Sequence, residues 1–113
     1  MKVTNKTKNV ILAQSAVSAD NPFKRMKGLL GKKEFLPGEA LILRPCSSVH
    51  TLFMRFPIDV LFVNKENRVI HSIASLKPFR LTRIYPLASF AIEFPSGTLK
   101  VNPAAVGDII SIG

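Results

Sequence analysis

Two carboxylates in this sequence sit where carboxylates are costly. Asp59 lies inside the apolar run Ile58–Val63, and Glu93 lies inside Phe90–Phe94. A carboxylate in apolar surroundings must be paired, hydrogen-bonded or neutralised. Two of them facing each other would form an acid/base pair of the kind a small hydrolase or isomerase uses. The structural alternative asks less of the fold and is preferred. In it, Asp59 binds backbone N–H groups at the Pro57 kink and Glu93 anchors a buried ion pair. Arg44, Arg55, Arg68 and Arg80 are the available cations.

Other chemistry is weaker. Cys46 and His50 are the residue types of a thiolate–imidazole pair. In an extended segment, however, four residues separate them by roughly 13 Å, far outside hydrogen-bond reach. A buried thiol and a structural histidine are the simpler account. Cys46, His50 and His71 lack the paired spacing of a zinc site, so no metal and no cofactor are expected. Lys24, Arg25, Lys27, Lys32 and Lys33 crowd positive charge around one short segment and form a candidate anion-binding region. No stacking-aromatic signature of an RNA-reading sheet accompanies them, and a solvated helix face is favoured over nucleic-acid binding. No phosphate-cradling glycine loop, nucleophile elbow or dinucleotide fingerprint is present.

The elements that must position these groups are mostly strands. Residues 50–63 form the most apolar stretch of the chain. At strand period, His50, Leu52, Met54, Phe56 and Ile58 share one face, and Thr51, Phe53, Arg55, Pro57 and Asp59 the other. Pro57 breaks the ladder. Asp59–Val63 then runs apolar without alternation, as a strand buried on both faces does. Asn64–Asn67 is a turn, and Arg68–Leu76 returns as the partner strand of a hairpin. Further strands are expected at Asn9–Val17, Glu39–Leu43, Phe79–Tyr85 (an edge), Ser89–Phe94 and Ile109–Ile112. Asp20-Asn21-Pro22 is a helix-start signal, so one short helix is expected over about 22–30. Residues 96–101 turn helically. The sum is a mainly β fold: a compact small barrel or folded-over sheet of about seven short strands with one short helix.

Composition agrees. The 113 residues suit a single domain, 1–113, and a hydrophobic fraction of 47% supports a packed core. The formal net charge is +9. Ten of the sixteen Lys and Arg residues precede Ile58, against three of the seven acids. Such a balance invites polyanions, though solvated charge is the plainer reading. No signal-peptide pattern and no membrane-spanning run is visible, and a single cysteine suits a reducing compartment, so a cytoplasmic protein with no membrane partner is expected.

Four segments together resemble a known family. Arg25-Met26-Lys27-Gly28-Leu29-Leu30 resembles an Arg-x-x-Gly-Leu-Met signature, with Leu30 in the Met position. His50–Val63 resembles a central motif ending in Pro-(Leu/Ile)-Asp-Val-x-Phe. Ile92–Gly97 is similar to Leu-Glu-x-Pro-x-Gly, and Val106-Gly107-Asp108 to a closing Gly-Asp turn. Their order is that of the uncharacterised bacterial and archaeal family called domain of unknown function 192, or uncharacterised protein family 0127. The resemblance implies a compact, mostly β fold with a short helix and directs interest to Gly28, Met54, Asp59, Glu93, Gly97 and Asp108. It implies no activity, cofactor or catalytic residue. Many members carry an export signal or lipoprotein anchor, which this sequence does not display.

The function that fits is a small non-catalytic β domain binding a small molecule or a protein. Its pocket would lie near the Arg55–Asp59 kink, lined by His50, Met54, Arg55, Asp59 and Glu93.

Overall fold

The structure, a computed structural model, describes residues 1–19, 35–52 and 54–113. The helix expected over 22–30 and the basic residues Lys24, Arg25, Lys27, Lys32 and Lys33 lie outside the described residues.

Eight strands and one short helix make up the described fold. They are β1 (Val3–Asn5), β2 (Val10–Ala13), β3 (Ser15–Ala19), β4 (Glu39–Leu43), β5 (Ile58–Val63), β6 (Val69–Leu76), β7 (Phe90–Pro95), α1 (Thr98–Val101) and β8 (Ile110–Ile112). A three-stranded sheet has the order β2-β1-β8, and a five-stranded sheet the order β3-β4-β7-β5-β6. The architecture is the folded-over arrangement, not a closed barrel. The chain crosses between the sheets at Gln14, where the N–H groups of Gln14 and Ser15 both donate to the Gly38 carbonyl, each at 2.9 Å. That shared acceptor breaks the single strand expected over Asn9–Val17 into β2 and β3.

β7 and β5 form the centre, and all six residues of each are buried. Alternation sends their side chains to two separate cores. Leu61, Val63, Phe90, Ile92 and Phe94 pack towards the small sheet with Val3, Leu12 and Ile110. Ile58, Val60, Phe62 and Ala91 face the other way, with Leu41, Leu43, Cys46, Val49 and Met54. Each large side chain fully removed from water contributes about 1.5–3 kcal/mol, so these two layers carry most of the folding drive. The β5–β6 turn is closed by Asn64, whose Oδ1 accepts from the N–H groups of Glu66 (3.0 Å) and Arg68 (2.9 Å). Asn67 takes the left-handed conformation (φ 64°) that Asn tolerates best among non-glycine residues.

The second core is roofed by two irregular segments rather than by strands. The lead-in from His50 to Pro57 is not a strand; its ladder is a single bridge, His50 to Leu81. The edge strand expected over Phe79–Tyr85 is reduced to the same bridge. Pro57, Pro78 and Pro86 supply no N–H to a ladder, and Phe79 is at φ 61°. The two segments still run side by side. Thr51 N donates to Arg80 O (2.8 Å), Thr82 N to Val49 O (2.9 Å) and Tyr85 N to Ser47 O (2.8 Å). Tyr85 reaches back onto Phe62 and His71, with ring centroids 4.5 and 4.6 Å away.

Candidate functional site

Asp59 is fully buried. Opposite it, β6 carries an extra residue: Ile58 pairs with Leu76, but Val60 pairs with Ile73. Ser75, at φ 53°, sits in that bulge. A bulge leaves a backbone donor unpaired, and the Asp59 carboxylate takes it, accepting from Ser75 N at 2.8 Å. Its other oxygen accepts from Leu99 N at 2.9 Å, in the first turn of α1. Ser75 Oγ and Ser96 Oγ close the arrangement at 2.6 Å. Asp59 thus clasps β5, the β6 bulge and the α1 turn together. Its partners are backbone N–H groups, as the structural alternative expects, but they come from distant segments and not from the Pro57 kink.

Glu93 points the opposite way. It stands between Leu41 of β4 and Val60 of β5 in the sheet register, on the face of the second core. It is 6% exposed. Among the described residues, nothing donates a hydrogen bond or an ion pair to its carboxyl, so the expected ion-pair anchor is not found there. Arg44 lies over the Phe90 ring at 4.0 Å, and Arg68 Nη1 donates to Gly107 O at 3.0 Å. Burial alone pushes the Glu93 carboxyl up to about 8, because the charged form has lost its water without gaining a partner.

The two carboxylates therefore do not form a pair. Asp59 registers with Phe94, and Val60 with Glu93, so the acids are close along the sheet but separated by its backbone layer. Of the other pocket residues, Met54 is buried in the second core, on the side of Glu93. His50 and Arg55 are exposed on the roofing segment. Cys46 is buried and its thiol donates to Ser48 O at 3.0 Å. Among the described residues, no three of His, Cys, Asp and Glu gather as a metal-ligand set, and no helix is long and apolar enough to cross a membrane. An open groove of about 480 Å³ runs past Ile11, Pro37, Gly97 and Val101, and none of the five pocket residues lines it.

Two further polar centres lie outside the expected pocket: Thr51, which the sequence reading does not single out, and Asp108, to which the family resemblance directs interest. Thr51 is buried; its Oγ1 donates to Lys77 O (2.6 Å) and accepts from Arg80 N (2.9 Å), which fixes the roof. A threonine in an apolar run is the only local signal for it. Asp108 Oδ2 accepts from Ala105 N (2.9 Å), Lys8 Nζ (2.5 Å) and Asn5 Nδ2 (2.9 Å). The Ala105 N–H, then the Lys8 ammonium, hold its carboxyl down at about 2. A depressed acid stabilises the fold above its unfolded value of 3.8 and loses that contribution as pH falls towards 2. Asp108→Asn should cost about 1–2 kcal/mol at neutral pH, the scale of one or two lost charge-assisted hydrogen bonds. It should also flatten the acid limb of the stability curve between those pH values, measured by urea titration.

Comparison with known proteins places this geometry in a family. The family profile of DUF192, described as Uncharacterized ACR, matches residues 2–112. A UPF0127 protein of Pyrococcus abyssi is 33% identical over 112 residues, covering 94% of this chain and 92% of that protein. A UPF0127 protein of Pyrococcus furiosus is 38% identical over 96 residues, covering 80% and 79%. The crystal structure of a protein of unknown function from Novosphingobium aromaticivorans superposes with a TM-score of 0.83 at 19% identity, covering 98% of this chain and 82% of that one. At that identity the likeness concerns the fold alone.

Proposed function

This chain belongs to the DUF192 family, and from that premise we propose that it is a small non-catalytic β domain that takes a ligand on the second face of its large sheet. Glu93 is its polar contact, Met54 part of its wall, and His50 and Arg55 its rim. One observation carries the reading: Glu93 is buried at the centre of the sheet, and burial, with no opposing cause, raises its carboxyl to about 8. A carboxyl so far withdrawn from water costs the fold stability that an aliphatic side chain would not. Local costs of this kind concentrate at functional sites.

The chemistry of the contact follows. A carboxyl raised to about 8 is mostly protonated at neutral pH and can both donate and accept. An ammonium or guanidinium would draw it into the ionised form and gain a charge-assisted bond; a cationic donor is therefore the ligand group we favour. A hydrolase or isomerase would need a second acid or base beside Glu93, and Asp59 is committed to backbone N–H groups on the other face. The setting we infer is a reducing cytoplasm, which suits the single Cys46.

Thermal shift with a panel of small amines, guanidines, amides and carboxylates tests this, run on the wild type and on Glu93→Gln. Donor-bearing compounds should raise Tm in the wild type, by about 2.7 kcal/mol of stability at a hundredfold excess over Kd. The shift should vanish in the variant. Equal shifts in both proteins, or none in either, would refute the reading.

A further inference from the structure

The roof of the second core carries a surface that the fold does not use and that shares only Arg55 with the rim proposed for the Glu93 site. Residues 77–87 are tied to 47–51 by hydrogen bonds along their length, so what they display is held in place. They display aliphatic side chains: Leu81, Ile84 and Leu87 are 74%, 71% and 78% exposed. Folding gains little from side chains left that far out, and large aliphatics grouped on one rigid segment mark an interaction surface. Arg80 and Arg83, both exposed, flank Leu81, and Arg55 is exposed four residues beyond Thr51, which is hydrogen-bonded to Arg80. Neither segment contains an acid: the sequence has no Asp or Glu from 40 to 58 or from 67 to 92.

The choice of cation discriminates among partners. The chain holds six arginines and ten lysines. Among the described residues of segments 47–57 and 77–87, the cations are the arginines Arg55, Arg80 and Arg83 and one lysine, Lys77. Arginine is enriched at protein–protein interfaces and lysine depleted, because the planar guanidinium is less strongly hydrated and grips a carboxylate with two parallel hydrogen bonds. An anionic bilayer uses lysine and arginine alike. A nucleic acid would leave three aliphatic side chains against phosphates. A second copy of this chain would bring the same positive charge.

We propose that the 77–87 segment, with Arg55, docks an acidic protein segment in which carboxylates alternate with aliphatic side chains. This does not depend on the Glu93 reading, and Glu93→Gln should leave it unchanged.

The test is an array of acidic 15-residue peptides rich in Glu and Leu, probed with the full chain and followed by fluorescence anisotropy. Controls are charge-matched peptides with Leu replaced by Ser, a charge-matched single-stranded oligonucleotide and phosphatidylglycerol vesicles. The best acidic–aliphatic peptides should bind at least about tenfold tighter than every control. Replacing Arg55, Arg80 and Arg83 together by Lys keeps the charge and should weaken binding about tenfold or more. Leu81→Ser with Ile84→Ser should do the same, while circular dichroism and Tm stay at wild-type values. Lys variants that bind like the wild type, peptides no better than their Ser controls, or preference for oligonucleotide or vesicles would each overturn the proposal.

Discussion

Asp59→Ala is expected to destabilise the protein by about 3–5 kcal/mol. Two buried backbone donors, Ser75 N and Leu99 N, lose their acceptor at once. Each orphaned group costs about 1–3 kcal/mol, and no water replaces the carboxylate in a fully buried position. The loss is a large part of the roughly 5–15 kcal/mol that holds a domain of this size together. Asp59→Asn should cost about half as much, because its Oδ1 keeps one acceptor while its NH2 opposes the other donor. Ser75→Ala removes only the hydroxyl contact to Ser96 and should cost about 1 kcal/mol or less. Urea unfolding of the three variants checks the order. An Asp59→Ala protein within about 1 kcal/mol of the wild type would show that the clasp is dispensable.

Glu93 should behave in the opposite sense. Its folded value is raised from 4.5 to about 8. Below pH 4.5 both folded and unfolded chains hold the proton, and the group is neutral to stability. Between pH 4.5 and 8 the unfolded chain releases it and the folded chain does not. Stability therefore falls by about 1.4 kcal/mol per pH unit through that window and levels off above it. Gln cannot titrate, so Glu93→Gln should lack this slope. At pH 8.5 it should exceed the wild type by about 4–5 kcal/mol, with the two nearly equal near pH 4.5. The difference between the two stability curves isolates the group, since every other titration is shared. A constant difference across that range would mean that Glu93 is solvated or paired in the folded protein.

These two acids also show how far the sequence could be read. Where a strand is bounded by backbone chemistry and filled by apolar side chains, its pattern is visible. Glu39–Leu43 between Pro37-Gly38 and Arg44-Pro45 is observed with the same limits, and the all-apolar β5 is buried on both faces as its lack of alternation implies. The parity of Phe90, Ile92 and Phe94 puts Glu93 on the opposite face of β7, and the cores confirm that division. The period-two reading fails at His50–Pro57 because the hydrogen-bond partners there are set by Thr51 and by a segment some thirty residues on. Nothing local encodes that Asp59 meets donors 16 and 40 residues away, or that Asn5 meets Asp108 across 103. The opposed faces of Asp59 and Glu93 follow from the β5–β7 register, which requires the paired strands to be known.

The most direct test of the account is a carboxyl 13C NMR titration of glutamate-labelled protein. The chain has only four glutamates, Glu34, Glu39, Glu66 and Glu93, and Glu93→Gln assigns the one that matters. One resonance, absent from the variant, should titrate near pH 8. If the Glu93 resonance instead titrates in the ordinary glutamate range, the carboxyl has a partner or water, and the ligand site proposed around it does not exist.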